Sequence, residues 1–235
     1  MYLITLKPFI IIYIKEDSHK LDKYEAFKND VNSLINVDLN YYKEKQMKRS
    51  ITTLLNRNNF KDFDDYFIGL KKDKVLLEQF VNYLTINVSE FYRNPSQWDV
   101  LVTDIIPSLI DKNNSGIKVW SSACSTGEEP YSLVMMLTNF FPLRDIKVLA
   151  TDIDEGAMDK AKLGLYNEKS LENLPKGFKE KYFTKVESSY KISEDIKKCV
   201  EFKKMDLLKD RFPMNVDLLT CRNVMIYFTE DAKEL

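Results

Sequence analysis

Histidine and cysteine are scarce in this chain, and their scarcity argues against two common kinds of cross-link. His19 is the only histidine, and the three cysteines, Cys124, Cys199 and Cys221, are odd in number and far apart. A disulfide framework needs paired cysteines and a Cys/His metal site needs closely spaced ligands, so we expect neither. Free cysteines are typical of a reducing compartment, and we therefore expect a cytoplasmic protein.

The chain also lacks a long hydrophobic run and an excess of charge of one sign. The apolar run from Phe9 to Ile14 is far shorter than the roughly 20 residues that span a bilayer, and no basic segment or cleavage site accompanies it. Residues 1–20 are therefore interpreted as an extension rather than a signal peptide or membrane segment. The formal net charge of −1 gives no global reason to expect nucleic-acid binding.

Residues 118–137 have the pattern of a strand, a loop and a helix in succession. The loop from Ser121 to Gly127 consists of small residues, so its backbone can approach a ligand closely. From Glu128 the spacing becomes helical, and Pro130 lies in the first turn, where a missing N–H is tolerated. α/β folds hold nucleotide-like ligands at such a helix N-terminus, although an ordinary βα turn is the alternative.

A second predicted strand, Lys147–Asp152, favours the ligand-binding interpretation. It ends on an acid 25 residues after Gly127, although the first loop has no G-x-G-x-x-G pattern. In a doubly wound sheet, a carboxylate at this position lies beside the first βα loop and accepts hydrogen bonds from ribose hydroxyls. Asp152 is therefore the candidate ribose ligand.

Four motifs follow one another along the chain: NYLTINVSEFYRN, SSACSTGEEPYSL, ATDID and TCRNVMIYF. Together they resemble the chemotaxis receptor glutamate O-methyltransferases of the CheR type, from about Tyr24 to the last residue. The resemblance implies S-adenosylmethionine as methyl donor, S-adenosylhomocysteine as product and the cytoplasmic helical bundle of chemotaxis receptors as partner. It also implies an α/β fold class, with a small all-helical N-terminal domain followed by a Rossmann-like methyltransferase domain that contains a small β insertion.

The resemblance assigns cofactor contacts to particular residues. Glu129 matches a cofactor-binding acid, with Glu128 as the less favoured choice, and Asp152 matches the ribose ligand. Asp206 stands where the family often has asparagine, so it keeps an acceptor but loses the amide donor. The remaining cofactor contacts that the resemblance implies are Asn87, Ser89, Arg93, Leu207, Cys221, Arg222 and Asn223.

Arg93 and Tyr227 are the predicted catalytic residues. A glutamate side chain, with a pKa of about 4.3, is already an anion at neutral pH, so its methylation needs alignment rather than a general base. The Arg93 guanidinium can hold a carboxylate of the acceptor or of the cofactor through two hydrogen bonds, and an interdomain salt bridge is the alternative. The Tyr227 hydroxyl can orient the acceptor oxygen, and a buried core tyrosine is the alternative.

Helical periodicity predicts a small helical domain over residues 21–86. Asp38 or Asn40 is the expected cap of its second helix, and its third helix is expected to follow Asp62. The second helix and its flanks are basic, through Lys43, Lys45, Lys48, Arg49 and Arg57. In the resembling family a basic helix of this domain faces the receptor, and a solvated face without a partner is the alternative.

Residues 87–94 are the predicted linker, and residues 95–235 the methyltransferase domain, with a β-rich insertion at about 184–205. Asn94 followed by Pro95 predicts the start of a helix. The residues of this helix that are expected to face inward are Trp98, Leu101, Val102, Ile105 and Leu109.

The predicted sheet has fewer strands than the methyltransferase fold contains. Its strands are Ile117–Ser122, Lys147–Asp152, Val200–Met205 and Asn215–Cys221. The shortage predicts a polypeptide truncated at its C-terminus, with an exposed edge at the last of these strands, weak cofactor binding and little turnover.

Two other functions are compatible with parts of the sequence. Methylation of a nucleic-acid base or of a small amine usually accompanies an N/D-P-P-Y turn, with which residues 223–227 disagree. A cofactor-binding regulatory module without turnover retains Asp152 and Glu129 but has no use for Arg93 and Tyr227.

Overall fold

The structure, a computed structural model, describes residues 18–84, 89–112 and 117–234. Residue contacts divide the chain into two units, residues 1–80 and 81–235. Most of the predicted N-terminal extension lies outside the described residues, and so does Asn87, the first residue of the predicted linker.

The helices and strands are numbered in chain order. The α-helices are α1 (Ser18–Ile35), α2 (Glu44–Arg57), α3 (Phe63–Lys72), α4 (Lys74–Leu84), α5 (Pro95–Val100), α6 (Ile106–Lys112), α7 (Glu128–Leu137), α8 (Glu155–Leu163), α9 (Phe178–Tyr182), α10 (Glu194–Lys197) and α11 (Glu230–Lys233). The strands are β1 (Val119–Ser121), β2 (Val148–Asp152), β3 (Leu165–Asn167), β4 (Phe183–Val186), β5 (Ser189–Ile192), β6 (Val200–Lys204) and β7 (Leu218–Thr220).

Aromatic side chains form the core of the first unit. Phe27 of α1 is buried, and its ring centroid lies 6.2 Å from that of Tyr66 on α3 and 6.0 Å from that of Phe80 on α4. Such ring pairs stabilise by about 0.5–1.5 kcal/mol beyond the burial of their surface. Helix α2 has one apolar face, whose members are all buried: Met47, Ile51, Leu54 and Leu55.

The helix caps in this unit agree with the sequence in one place and differ in another. Helix α3 follows Asp62 as predicted, and the Asp62 side chain caps it by accepting a hydrogen bond from the Asp65 N–H at 3.0 Å. The prediction that Asp38 or Asn40 caps the second helix is wrong. Asp38 accepts from the Asn40 N–H and caps a separate short 3₁₀ turn, and α2 begins only at Glu44.

The helix after the linker is interrupted by a wider π-helical turn, Leu101–Ile105, between α5 and α6. A π turn holds one extra residue and so shifts the inward face of everything after it. Trp98, before the π turn, is buried as predicted. After the turn Ile106 is buried, whereas Ile105, which was expected to face inward, is 40% exposed. Pro95 opens the helix as predicted, but Asn94 has a left-handed backbone and makes no side-chain cap bond.

The second unit is built on a parallel four-stranded sheet in the order β6-β2-β1-β7. Adjacent strands are in register, with Val119 opposite Val148 on one side and Leu218 on the other. Helix α7 follows β1 and is buried almost throughout its length, which explains its near-continuous apolar sequence. The four strands predicted for this sheet are therefore confirmed. Within the described residues, β7 pairs with β1 alone.

The β insertion differs from the sequence prediction in its membership. β6, placed at the end of the predicted insertion, pairs with β2 over its whole length and belongs to the parallel sheet. The separate antiparallel sheet has the order β3-β5-β4, and β3 lies before the predicted start of the insertion at about residue 184. Three residues are too few to show a strand period in the sequence, and pairing with β5 is what makes this segment extended.

Candidate active site

The carboxyl ends of the parallel strands lie along one edge of the sheet, and the predicted site residues follow them. Ser121, the first residue of the predicted small-residue loop, ends β1, and the loop itself is Ser122–Gly127. Asp152 ends β2, Asp206 comes after β6, and Arg222 comes after β7. Ligands of open α/β sheets bind outside this edge, so the topology brings the predicted residues to the expected place.

Backbone hydrogen bonds fix the small-residue loop against both neighbouring strands. The Ser122 N–H donates to the Thr220 carbonyl oxygen at 2.9 Å, and the Cys124 N–H donates to the Thr151 carbonyl oxygen at 2.9 Å. The first of these bonds joins the loop to β7 and the second joins it to β2. The loop is therefore an ordered platform at the sheet edge.

Asp152 is buried, and backbone groups orient its carboxylate. One oxygen accepts from the Ser125 N–H at 2.7 Å and the other from the Asp154 N–H at 3.0 Å. Burial raises the pKa of the Asp152 carboxyl, and these two hydrogen bonds act in the opposite direction. A carboxylate has about four acceptor sites, so each oxygen retains capacity for a further donor such as a ribose hydroxyl.

Glu129 lies in a cluster of polar side chains from three elements. Its Oε1 accepts from the Ser121 hydroxyl at 2.8 Å and from the Thr220 hydroxyl at 2.7 Å. Its Oε2 accepts from Arg222 Nη1 at 3.4 Å. Much of its acceptor capacity is thus used within the protein, and its predicted contact with the cofactor stays a prediction.

The neighbouring Glu128 has a different environment. Its side chain is buried and accepts from the Thr126 hydroxyl at 2.6 Å and from the hydroxyl of Ser89. Desolvation by burial raises the pKa of the Glu128 carboxyl. Ser89 belongs to the predicted linker and is one of the residues expected near the cofactor. Glu128 therefore bonds both to the small-residue loop, through Thr126, and to the linker, through Ser89.

The Arg222 guanidinium joins the segment after β7 to the start of α5. Its Nη2 donates to the Arg93 carbonyl oxygen at 2.6 Å and lies 3.5 Å from Asn94 Oδ1, and its Nε donates to Gln97 Oε1 at 3.1 Å. The guanidinium also lies over the ring of Trp98, 5.5 Å from its centroid. All three of its nitrogens therefore donate to protein acceptors, including the Nη1 that contacts Glu129.

Arg93 lies in a short backbone segment of unusual conformation. Tyr92 and Asn94, on either side of it, have φ angles of 51° and 57°. The Arg93 carbonyl oxygen also accepts from Trp98 Nε1 at 2.9 Å, and the Tyr92 N–H donates to the Ser132 hydroxyl at 3.1 Å. Left-handed backbone at residues other than glycine costs about 1–3 kcal/mol and persists where surrounding contacts hold it. The Arg93 side chain itself is half-buried.

The remaining predicted residues occupy the segments after β6 and β7. Asp206 and Leu207 are half-buried, and Asp206 Oδ1 accepts from the Leu208 N–H at 2.9 Å. Cys221 is half-buried and Asn223 is exposed.

Tyr227 ends a short 3₁₀ turn, Met225–Tyr227, and is half-buried. It is therefore not the fully buried core tyrosine that the sequence left as the alternative.

Three side chains of this site escaped the sequence reasoning: Ser121, Thr220 and Gln97. Ser121 and Thr220 are the last residues of β1 and β7, and they lie opposite each other in the sheet register. A small hydroxyl residue closing each of two apolar strands is a signal that the sequence does contain. Gln97, exposed on α5, has no such signal.

No group of three or more His, Cys, Asp or Glu side chains in the described ranges is arranged to hold a metal ion. None of the described helices is long and apolar enough to cross a membrane.

Comparison with known protein families covers both units. The model described as CheR methyltransferase, SAM binding domain, matches residues 87–235, and that described as CheR methyltransferase, all-alpha domain, matches residues 22–85. The first match alone spans more than half of the chain.

Relatives from several bacteria are similar over most of the chain. A chemotaxis protein methyltransferase of Listeria innocua is 39% identical over 210 residues, which are 89% of this chain and 80% of the relative. The protein of that name from Borreliella burgdorferi is 35% identical over 84% of this chain and 74% of its own. Chemotaxis protein methyltransferase 2 of Vibrio cholerae is 32% identical over 82% of this chain and 69% of its own. The chain thus belongs to the CheR family of chemotaxis methyltransferases, which take their methyl group from S-adenosylmethionine.

Proposed function

We propose that this chain methylates glutamate side-chain carboxylates of chemotaxis receptors and produces glutamate methyl esters. The observation that supports the proposal is the hydrogen bond from Arg222, which follows β7, to the backbone of Arg93. The Arg93 carbonyl is held by Arg222, which in turn contacts Glu129 on α7. The backbone of Arg93 is thereby held beside the segment that follows β7, and its guanidinium is a permanent cation that can pair with a carboxylate.

The residues at this edge fit the methyl donor. The small-residue loop presents backbone rather than bulky side chains, and Asp152 keeps acceptor capacity at the end of β2. A buried carboxylate is costly for the folded protein unless it has a partner, and two ribose hydroxyls are donors of the right kind. The cofactor contacts proposed for Asn87, Ser89, Leu207, Cys221 and Asn223 remain part of this proposal.

The chemistry of the acceptor explains why the site needs few reactive groups. When bound, S-adenosylmethionine would supply the methyl group from its sulfonium to a carboxylate oxygen, with S-adenosylhomocysteine as the leaving group. The acceptor is already anionic at neutral pH, so no proton has to be removed. Arg93 aligns the carboxylate and Tyr227 orients the attacking oxygen, which is catalysis by positioning.

The receptor as partner accords with the basic surface of α2. Lys45 and Arg49 on this helix and Arg57 at its end are exposed, and Lys43 precedes it. Lys48 differs, because it is half-buried with its Nζ 5.0 Å from the centroid of the Tyr24 ring. The acceptor glutamates lie in the cytoplasmic part of such receptors, and the reaction is accordingly proposed for the cytoplasm.

A labelling experiment tests the proposal. The chain is incubated with methyl-labelled S-adenosylmethionine and receptor-rich membranes, and the label is followed in protein, nucleic acid and small molecules. We expect label on receptors that mild base releases as methanol, because methyl esters are base-labile. Base-stable label, or label in nucleic acid, would contradict glutamate esterification. The Arg93→Ala variant serves as the matched control for enzyme-dependent label.

A further inference from the structure

We propose that Arg222 is a positioning residue, which acts on the methyl-transfer reaction through the backbone of Arg93 rather than by contacting the cofactor. The inference rests on the proposed function in so far as Arg93 aligns the reacting carboxylate. It differs from the cofactor contact that the family resemblance implies for Arg222.

The hydrogen bonds of the guanidinium support this role. Arg222 has five N–H donors, and it makes four contacts with protein acceptors: the Arg93 carbonyl oxygen, Gln97 Oε1, Glu129 Oε2 and Asn94 Oδ1. One face of the guanidinium lies over Trp98. All three nitrogens of the guanidinium therefore have protein acceptors, and few N–H groups remain to donate to a ligand.

The backbone segment that Arg222 bonds to is strained. Arg93 lies between two residues with left-handed backbone, and a bulky residue such as Tyr92 seldom adopts that conformation. The peptide that follows Arg93 is fixed through one oxygen, which accepts from both Arg222 Nη2 and Trp98 Nε1. Removal of one of two donors on that oxygen frees the segment to relax toward ordinary backbone angles.

Glu129, the acidic partner of Arg222, is bonded to the parallel sheet. Glu129 Oε1 is held by the hydroxyls of Ser121 and Thr220, the terminal residues of two adjacent strands. Arg222 therefore transmits the position of β1 and β7 to the Arg93 backbone through Glu129. A lysine at position 222 carries the same charge but donates from a single atom, so it cannot reach acceptors spread around a planar fork.

Amide hydrogen exchange of the full 235-residue chain tests the structural half of the inference without cofactor or receptor. We expect Arg222→Lys to accelerate exchange in peptides covering residues 89–98 by about tenfold, while peptides of α8 stay as in the wild type. Arg144→Lys is the matched control, because the Arg144 side chain is 84% exposed and lies elsewhere on the surface. Unchanged exchange at residues 89–98 in Arg222→Lys would overturn the proposal.

A double-mutant cycle tests the catalytic half. Arg222→Lys should lower kcat/KM on the order of 10²-fold in the wild type, as expected when a reacting group is misplaced. In the Arg93→Ala background, the same substitution should cost less than about twofold, because the group that Arg222 positions is already gone. Equal losses in both backgrounds would overturn the proposal, since they would show that Arg222 acts on cofactor or acceptor directly.

The two measurements keep the proposals separable. A wild-type chain that methylates no receptor would refute the proposed function, whereas the exchange measurement still decides the role of Arg222. If Arg222→Lys does not fold, Glu129→Gln is used, because it removes the charged partner of Arg222 on α7, outside the monitored residues. Faster exchange at residues 89–98 in that variant supports the proposal, and wild-type exchange overturns it.

Discussion

The two adjacent carboxylates on α7, Glu128 and Glu129, have different hydrogen-bond partners, although they are consecutive residues of the same type. Glu129 faces hydroxyls and the Arg222 cation, whereas Glu128 is buried with hydroxyl donors from Thr126 and Ser89. An ionised carboxylate buried without a cation is costly. The stability of the fold should therefore respond to the protonation of Glu128.

The pH dependence of Glu128→Gln follows from the sign of this effect. Burial raises the pKa of Glu128 in the folded state, so on raising the pH the unfolded chain loses this proton first. The free energy of unfolding of the wild type therefore decreases, relative to that of the Gln variant, as the pH rises above the ordinary carboxyl pKa. The decrease ends once the pH exceeds the raised pKa of the folded state. The Tm of Glu128→Gln minus that of the wild type should grow as the pH rises above the ordinary carboxyl pKa of about 4.3. A difference that does not change with pH would contradict the expectation, and exposed Glu201→Gln is the control.

Arg93→Ala should separate activity from stability. Two hydrogen bonds at Arg93 use its backbone oxygen, and they survive truncation of the side chain. We expect kcat/KM for receptor methylation to fall on the order of 10²-fold or more, with the free energy of unfolding changed by less than about 1 kcal/mol. Urea denaturation and initial rates measure the two quantities. Normal turnover would make the Arg93 side chain structural.

At the scale of elements, the junction between the small-residue loop and α7 depends on Gly127. Its φ is +94°, and a Cβ there would come within 2.7 Å of the Ala161 Cβ. Gly177 before α9 has a similar φ of +84° but no atom within 4 Å of the position of a Cβ. A comparison of substitutions at these two glycines therefore separates the cost of steric crowding from the cost of a positive φ.

Gly127→Ala should therefore destabilise the protein more than Gly177→Ala. The control variant should lose about 1 kcal/mol from its positive φ, and Gly127→Ala should lose about 1–3 kcal/mol more from overpacking. Urea denaturation of both variants gives the two values. Equal losses would mean that α8, which carries Ala161, shifts freely and does not restrain the loop.

The surface of α2 gives a second prediction at this scale. Reversing Lys45 and Arg49 to glutamate should weaken receptor methylation at low salt and leave S-adenosylhomocysteine binding unchanged, because exposed charges steer association. Substitution of these exposed residues tests the interface without disturbing the fold. Lys48 is less suitable, because its side chain packs over the Tyr24 ring. Lys160→Glu with Lys169→Glu, also exposed, makes the same change of net charge elsewhere. Unaltered methylation at low salt would remove α2 from the interface.

At the scale of the whole molecule, each of the two units has buried side chains of its own, and the proposed cofactor contacts belong to residues 81–235. S-adenosylhomocysteine at about 100 times its Kd should stabilise the folded state by about 2.7 kcal/mol. Calorimetry should show a higher Tm for the transition that unfolds this unit. Asp152→Asn should reduce the shift at the same ligand concentration, and an undiminished shift would exclude Asp152 as a ribose ligand.

Much of the second unit could be predicted because its signals are local. The four strands of the parallel sheet, the small-residue loop and the helix after it each occupy a continuous stretch with its own hydrophobic pattern. Asp152 was identified as the candidate ribose ligand because it ends such a stretch. The extra residue of the π turn could not be predicted, since nothing at Leu101–Ile105 distinguishes it from an ordinary helix, and the inward position passed from Ile105 to Ile106.

The sequence by itself determined the four strands of the parallel sheet and most of the helices, since apolar periodicity and capping residues act over a few neighbouring positions. Only the tertiary structure decided that β3 joins β5 and that Glu129 meets Ser121, Thr220 and Arg222. The residues of that cluster come from segments far apart in the chain, and strand order and register alone bring them together. The direction of a side chain in such a cluster depends on packing around it, which no local pattern encodes.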